Sequence, residues 1–375
     1  MPVPLKVTGN SYHQVSRCNT SNGGHTMLKD LRQNTEFSVL GLGEVMLRLS
    51  PEGKERISQC ETFEKRVGGS ELNVVSGISL LGLHTGIVTK LPDNEIGKFV
   101  VNRVRFSGVS DDYIVFDRSG ESRLGVYYYE IGAHPRKSTV VYDRANSTIN
   151  TLNIDEIPES IYSSTQVFHV SGITLALSEN IRKVAIEMIK RFKAHGVKIS
   201  FDVNYRATLW DEDTARGVIN EILPYLDILF ISEETSRRMM QKTGTMEEIM
   251  RSYCEGNNIE VVASTRRTVI SPTRHSWDST LYSRSEDKFY SEPGYSEIEV
   301  VDRIGSGDAY LSGVLFGLLK FGDYMEAVKF GNAMAAVKNT IPGDMPVSDF
   351  KEIKRIIANH NSTGPVSEMN RYSEL

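Results

Sequence analysis

The octapeptide Val301-Asp302-Arg303-Ile304-Gly305-Ser306-Gly307-Asp308 runs directly into the apolar stretch Ala309–Phe316. Two glycines and a serine let a backbone turn tightly and aim successive N–H groups at one point. The free amides of a following helix would face the same point, which makes Gly305, Ser306 and Gly307 candidates for an anion hole. Asp308 stands at its mouth. A resting phosphate repels a carboxylate, so the residue needs a reason to be there. Proton removal from a hydroxyl, as that hydroxyl attacks a phosphoryl group, supplies one. Aspartate also caps helices, and glycine-rich turns precede many helices in α/β proteins, so the octapeptide alone leaves both readings open.

Other polar groups gather where apolar runs end. Asp202-Val203-Asn204-Tyr205-Arg206 follows one such run. Arg206 offers a flat, two-pronged donor for a carboxylate or phosphate, or an ordinary surface ion pair. Arg144 carries the same two readings. Tyr127 and Tyr142 are either hydrogen-bonding partners for a sugar or the core of a small sheet. Gly68-Gly69 with Asn73 either lets a polyol approach the backbone or forms a tight turn before a helix. His169, within Val167-Phe168-His169-Val170, reads as a core residue, and none of the eight histidines pairs at metal spacing. Gly-x-Ser-x-Gly elbows and Walker-type loops are absent, which argues against hydrolase and P-loop chemistry.

The elements needed to hold these groups are legible as an alternation. Phe37–Gly43 predicts a first buried strand, residues 68–81 a helix, 85–90 a strand and 94–107 a helix. Residues 46–67 and 112–148 lack helical pattern, and Arg123–Ile131 and Ser138–Tyr142 are rich in Val, Tyr and Ile. Together they predict a small β-sheet lid. From Thr165 onward strands and helices alternate, with Ile181, Val184, Ala185, Met188, Ile189 and Phe192 at helical spacing. Helices are expected over 308–320, 323–339 and 348–359. The fold class is therefore α/β, a mostly parallel sheet with helices on both faces. Such sheets bind ligands at the carboxyl ends of their strands, where Gly43, Asn204, Ser232 and Gly305 fall.

The chain has 375 residues, 39% of them hydrophobic and 24% charged, and a formal charge of −5. That gives ample core for one large domain and no basic face for nucleic acid. Three scattered cysteines suggest a reducing compartment, and no apolar run is long enough to span a bilayer, so a cytoplasmic location is expected. Residues 1–35 read as a polar tail, with Met27 an alternative start, 36–365 as the folded domain, and 366–375 as a second polar tail.

With these pieces placed, the chain from about Phe37 to about Asp344 resembles the ribokinase-like sugar kinases of the phosphofructokinase-B family. Asp302–Asp308 is similar to its Gly-Ala-Gly-Asp signature, and Gly68-Gly69 with Asn73 to its sugar-side signature. Gly43–Ser50, Val170–Glu179, Asp202–Arg206 with Leu209-Trp210, and Ile341–Asp344 are most similar to the 2-keto-3-deoxygluconate kinase branch. The resemblance implies transfer of the γ-phosphate of ATP, with Mg2+ and a monovalent cation as candidate ions, to the 6-hydroxyl of a keto-deoxy sugar acid. By position, Asp308 is the expected base, and Gly69, Asn73, Tyr127, Tyr142, Arg144 and Arg206 the sugar-acid contacts. Asn204, Ser264, Arg266, Gly305 and Gly307 are the expected nucleotide contacts. Ser264–Thr268 stands where many relatives have a Gly-x-Lys/Glu-Gly loop, as in one branch with a similar replacement. Ser232-Glu233-Glu234-Thr235 replaces an Asn-x-x-Glu motif, leaving Glu233 and Glu234 to organise magnesium through water. A homodimer through the lid sheet is also implied. Rival readings are a ribose- or fructose-type kinase of the same fold and a sugar-acid binding protein without transferase activity. A dinucleotide oxidoreductase is more remote, since no Gly-x-Gly-x-x-Gly follows the first strand.

Overall fold

The computed structural model describes residues 31–361 apart from Pro272. The chain begins with β1 (Phe37–Leu42), β2 (Met46–Pro51), β3 (Phe63–Gly68), α1 (Ser70–Leu80), β4 (Thr85–Pro92), α2 (Glu95–Phe106) and β5 (Ile114–Asp117). Next come β6 (Gly125–Glu130) and β7 (Thr139–Asp143), with no helix between them. Alternation then resumes with β8 (Thr165–Ser171), α3 (Gly172–Ala176), α4 (Glu179–Ala194), β9 (Lys198–Asp202), α5 (Glu212–Ile222), β10 (Ile228–Phe230), α6 (Glu233–Arg238) and α7 (Met246–Cys254). The last part holds β11 (Val261–Ser271), β12 (Arg274–Ser283), β13 (Lys288–Tyr290), β14 (Tyr295–Glu299), α8 (Ser306–Phe321), α9 (Tyr324–Asn339) and α10 (Phe350–Asn361).

One sheet runs β13-β12-β11-β10-β9-β8-β1-β4-β5, with β14 paired to β12. It is parallel from β11 to β5 and antiparallel from β11 outward to β13 and β14. Its central strands β1, β4, β8 and β10 are buried on both faces, as a helix-covered parallel sheet requires. The pleat divides their side chains between two cores. Leu40, Val88, Phe168, Leu229 and Val262 join α4, α5 and α7 on one side. Val39, Ile87, Val167, Ile228 and Val261 join α1, α2, α8 and α9 on the other. Local signals set the helices: Ser178 caps α4 by accepting from the Ile181 amide, and the predicted stripe from Ile181 to Phe192 is buried.

The small sheet has the order β3-β2-β6-β7. The expected lid segments thus supply four strands, but residues 114–117 do not join them. β5 instead pairs in parallel with β4, Thr89 beside Ile114. The eight-residue β4 has a side that β1 leaves unpaired, and β5 satisfies its exposed amides and carbonyls.

Of the expected tails, residues 1–30 and 366–375 lie outside the described residues. Residues 31–35 are irregular but attached, with Leu31 against the core and Gln166 donating to the Arg32 carbonyl at 3.0 Å. Among the described residues no helix is long and apolar enough to cross a membrane.

Candidate active site

The carboxyl ends of β9, β10 and β11, the turn before α8 and one face of the small sheet enclose a cleft of about 620 Å³. At its floor, Gly305 is the left-handed residue (φ 79°) before α8. A Cβ there would sit 2.0 Å from the Asp344 carbonyl oxygen, so only glycine fits. The first helical bond runs from the Ala309 amide to the Gly305 carbonyl at 2.8 Å. The Ser306 amide turns back to the Arg303 carbonyl at 3.3 Å. The Gly307 and Asp308 amides are left as first-turn donors facing the cleft. These groups fit a phosphate.

Asp308 is the third residue of α8 and caps nothing, which removes the cap-only reading. One carboxylate oxygen accepts from Ser70 Oγ at 2.9 Å and the other from Asn73 Nδ2 at 2.7 Å. Burial pushes its pKa up to about 6, against the Asn73 and Ser70 hydrogen bonds and the Arg206 charge, which favour the anion. Asn204, at φ 33°, donates to Ser70 Oγ at 3.1 Å, so a chain of polar side chains leads to the carboxylate. Asp202, on the same wall, is pushed up to about 7, first by burial and then by the Asp308 charge.

Asn73 is 2% exposed and its Oδ1 has no partner among the described residues. A buried, unpaired acceptor on the same amide that donates to Asp308 is a place for a ligand hydroxyl. Gly69 allows close approach, since a Cβ on it would meet the Glu44 carbonyl oxygen at 2.4 Å. Tyr127 and Tyr142 are in register across β6 and β7 with ring centroids 5.8 Å apart. They differ in freedom: Tyr127 is 3% exposed and donates to Asp344, whereas Tyr142 is 48% exposed and open to the cleft. Arg144 lines the cleft but is already held by Glu44, its Nε 2.8 Å from the carboxylate. Among the described residues Arg206 has only the Tyr205 carbonyl as an acceptor, at 3.2 Å.

The expected nucleotide contacts divide. Asn204, Gly305 and Gly307 line the cleft, while Ser264 and Arg266 do not. In β11 successive side chains alternate faces, so Thr265 and Arg267 reach the cleft, and Arg266 pairs with Asp278 at 3.1 Å. Glu234 lines the cleft; Glu233 is outside it and paired with Arg237 at 2.7 Å. Ser232 and Thr235 bond one another at 2.8 Å. Among the described residues no group of three or more His, Cys, Asp or Glu could hold a metal ion. A divalent ion here would draw most of its oxygen ligands from phosphate and water.

Sequence reasoning passed over the groups beneath the floor. Arg48, 2% exposed on β2, bridges Asp302 and Asp344, each at 2.6 Å. Asp302 also accepts from the Ile304 and Gly343 amides, both at 3.0 Å. A lone arginine within the apolar strand Met46–Pro51 was the available signal, because a buried guanidinium demands carboxylates.

A mostly parallel sheet with a glycine-rich anion site at one helix terminus, a buried carboxylate beside it and a β-sheet over the cleft defines a small-molecule phosphotransferase architecture. The pfkB family carbohydrate kinase model matches residues 36–349, and the chain belongs to that family. It is 33% identical over 319 residues to a 2-dehydro-3-deoxygalactonokinase of Haloferax volcanii, covering 85% of this chain and 96% of the relative. A 5-dehydro-2-deoxygluconokinase of Clostridium perfringens is 29% identical over 331 residues, covering 85% and 93%. The crystal structure of 2-dehydro-3-deoxygluconokinase from Thermotoga maritima superposes with a TM-score of 0.81 at 33% identity, covering 86% of this chain and 99% of that one.

Proposed function

We propose that the protein transfers the γ-phosphate of ATP to the primary 6-hydroxyl of 2-keto-3-deoxygluconate or a close keto-deoxy sugar acid. The observation that carries the reading is the placement of Asp308 between the unpaired Asn73 acceptor and the free amides of the α8 terminus. In this reading the attacking hydroxyl is the donor to Asp308. The carboxylate takes its proton as the oxygen–phosphorus bond forms and ADP leaves. With a pKa of about 6 the group is ionised at neutral pH yet more basic than a surface carboxylate. The Gly307 and Asp308 amides and the α8 dipole stabilise charge on the transferring oxygens. Arg206, with no carboxylate on the wall paired to it, receives the sugar acid's carboxylate, and Tyr142 and Arg144 close the sugar side. Glu234, which lines the cleft, would help hold Mg2+ through water, and the ion would neutralise charge on the phosphate oxygens.

The proposal extends to a monovalent cation, a cytoplasmic location and a homodimer through the small sheet. Phe63 and Val141, 37% and 48% exposed on that sheet, support the last. A coupled ADP-release assay with keto-deoxy sugar acids, fructose and ribose tests the activity. Turnover confined to the acids is expected. Equal turnover of neutral sugars would move the assignment to that class, and tight sugar-acid binding with no ADP would leave a binding protein.

A further inference from the structure

Two guanidinium groups share the cleft wall with no ion pair to either among the described residues. Arg267 and Arg303 both line the cleft, and among the described residues neither has a hydrogen bond or ion pair from its side chain. The contrast with Arg266 is local: one step along β11, that residue is neutralised by Asp278. Arg267 is held below its ordinary pKa, first by desolvation and then by the Arg303 charge, so the two side chains feel each other. His275 on β12, 4% exposed with Nδ1 unpartnered, is also pushed down, first by burial and then by both arginines. Among the described residues no carboxylate contributes to the shift of either Arg267 or His275.

Position says which ligand the corner faces. Ile304 packs on the lid cluster of Met46, Tyr127 and Tyr129. Arg303, one residue earlier, lines the cleft with Arg267, and its charge is felt by Arg267 and His275 of the β11–β12 hairpin. Its carbonyl accepts from Ser306 Oγ at 2.9 Å, fixing it to the turn that opens α8. The arginines thus come from the β11–β12 hairpin and the α8 turn, and not from the lid strands that carry Tyr127, Tyr142 and Arg144. Like charges held together on one wall repel, and a ligand bearing several negative charges relieves that repulsion where a single carboxylate does so only in part. Guanidinium forks match phosphate oxygens in shape as well as charge.

We propose that Arg267 and Arg303 clamp the phosphate chain of the nucleotide and hold it against the amides of α8. This rests on the kinase reading, and the experiment separates the two. Full-length Arg267→Met, Arg303→Met and the double variant are compared with wild type in three measurements. These are calorimetric binding of ATP and of inorganic tripolyphosphate, KM for ATP and for sugar acid, and thermal midpoint without ligand at low salt. Each single change is expected to weaken ATP and tripolyphosphate binding by about 10- to 100-fold, the worth of a charged hydrogen bond, with the sugar-acid KM within about twofold of wild type. The unliganded thermal midpoint should hold or rise, because a repulsion has been removed. A purely structural role would lower it. Overturning results are unchanged polyphosphate affinity, or a loss that falls on the sugar acid. If wild type binds tripolyphosphate through these arginines but releases no ADP with any sugar, the clamp stands and the kinase reading falls. If wild type turns over normally and the variants bind ATP as it does, the clamp alone falls.

Discussion

Two sets of acids at the cleft floor and beneath it are partnered in opposite ways. Asp308 meets neutral donors, Ser70 and Asn73, and burial lifts its pKa to about 6. Asp302 and Asp344 share the guanidinium of Arg48 in a site almost closed to solvent. Asp344 is also raised by burial, but Arg48 is the first influence pulling it back. Tyr127, whose pKa burial and then Asp344 push well above the usual range, stays a neutral donor to it. Depth alone therefore does not make a base. A buried carboxylate whose partners are neutral keeps its appetite for a proton, whereas one tied to an arginine becomes a fixed strut.

The largest expected effect is at the first kind of site. Asp308→Asn keeps shape and removes the proton acceptor, and kcat should fall by about 10²- to 10⁴-fold with sugar binding little changed. Stability should move the other way. The folded pKa lies above the unfolded value of about 3.9, so wild type is favoured below that value and loses the advantage as pH rises to about 6. The asparagine variant escapes that loss, so its thermal midpoint should gain on wild type between pH 4 and 6 and keep the gain above. Wild-type turnover by the variant would remove Asp308 from the chemistry.

Arg48→Met tests the second kind and should reverse the signature. Two carboxylates would be left buried without a counter-charge, at a loss of about 3–5 kcal/mol in denaturant unfolding. Because Asp302 precedes the anion turn and the Asp344 carbonyl packs on Gly305, activity should fall with stability rather than apart from it. Adding Asp344→Asn and Asp302→Asn should recover part of the stability. A variant as stable as its parent would refute the strut.

What the sequence revealed and concealed follows the same division. The α8 terminus was legible because glycine, serine and aspartate are adjacent in the chain and act where they stand. Arg48 and Asp344 are separated by 296 positions, and only the fold brings them together. The choice of Ser264 and Arg266 over Thr265 and Arg267 depends on the phase of the β11 pleat, set by pairing with β12 through contacts such as Arg267 beside Trp277. A one-residue change in phase exchanges every side chain between faces, and local composition does not encode it. Residues 114–117 read like lid strand for a related reason: four residues show a β pattern but not which open edge they join.

Arg206 sharpens the comparison, since its charge favours the ionised form of both Asp308 and Asp202. Arg206→Ala should cost about 10- to 100-fold in kcat/KM for a sugar acid, as for a lost charged hydrogen bond, and distinctly less for the neutral alcohol analogue. Equal losses would contradict the carboxylate contact.

The smallest effect is the most diagnostic of how Asp308 is poised. The kcat/KM profile of wild type should have an acid limb near pH 6, activity falling as pH drops and the base is protonated. Asn73→Ala removes a hydrogen bond that favours the carboxylate, so the folded pKa rises and the limb moves to higher pH, by about 0.5–1 unit for a bond worth about 1 kcal/mol. Asn73 also presents the orphaned Oδ1, so the variant should raise the sugar KM as well. The two losses are separable, because only the first depends on pH. Arg48→Lys retains the charge between Asp302 and Asp344 and leaves both Asp308 donors in place, so its limb should stay where wild type has it. A limb that moved in the Arg48 variant but not in the Asn73 variant would show that long-range charge, not the neutral hydrogen bonds, tunes the base.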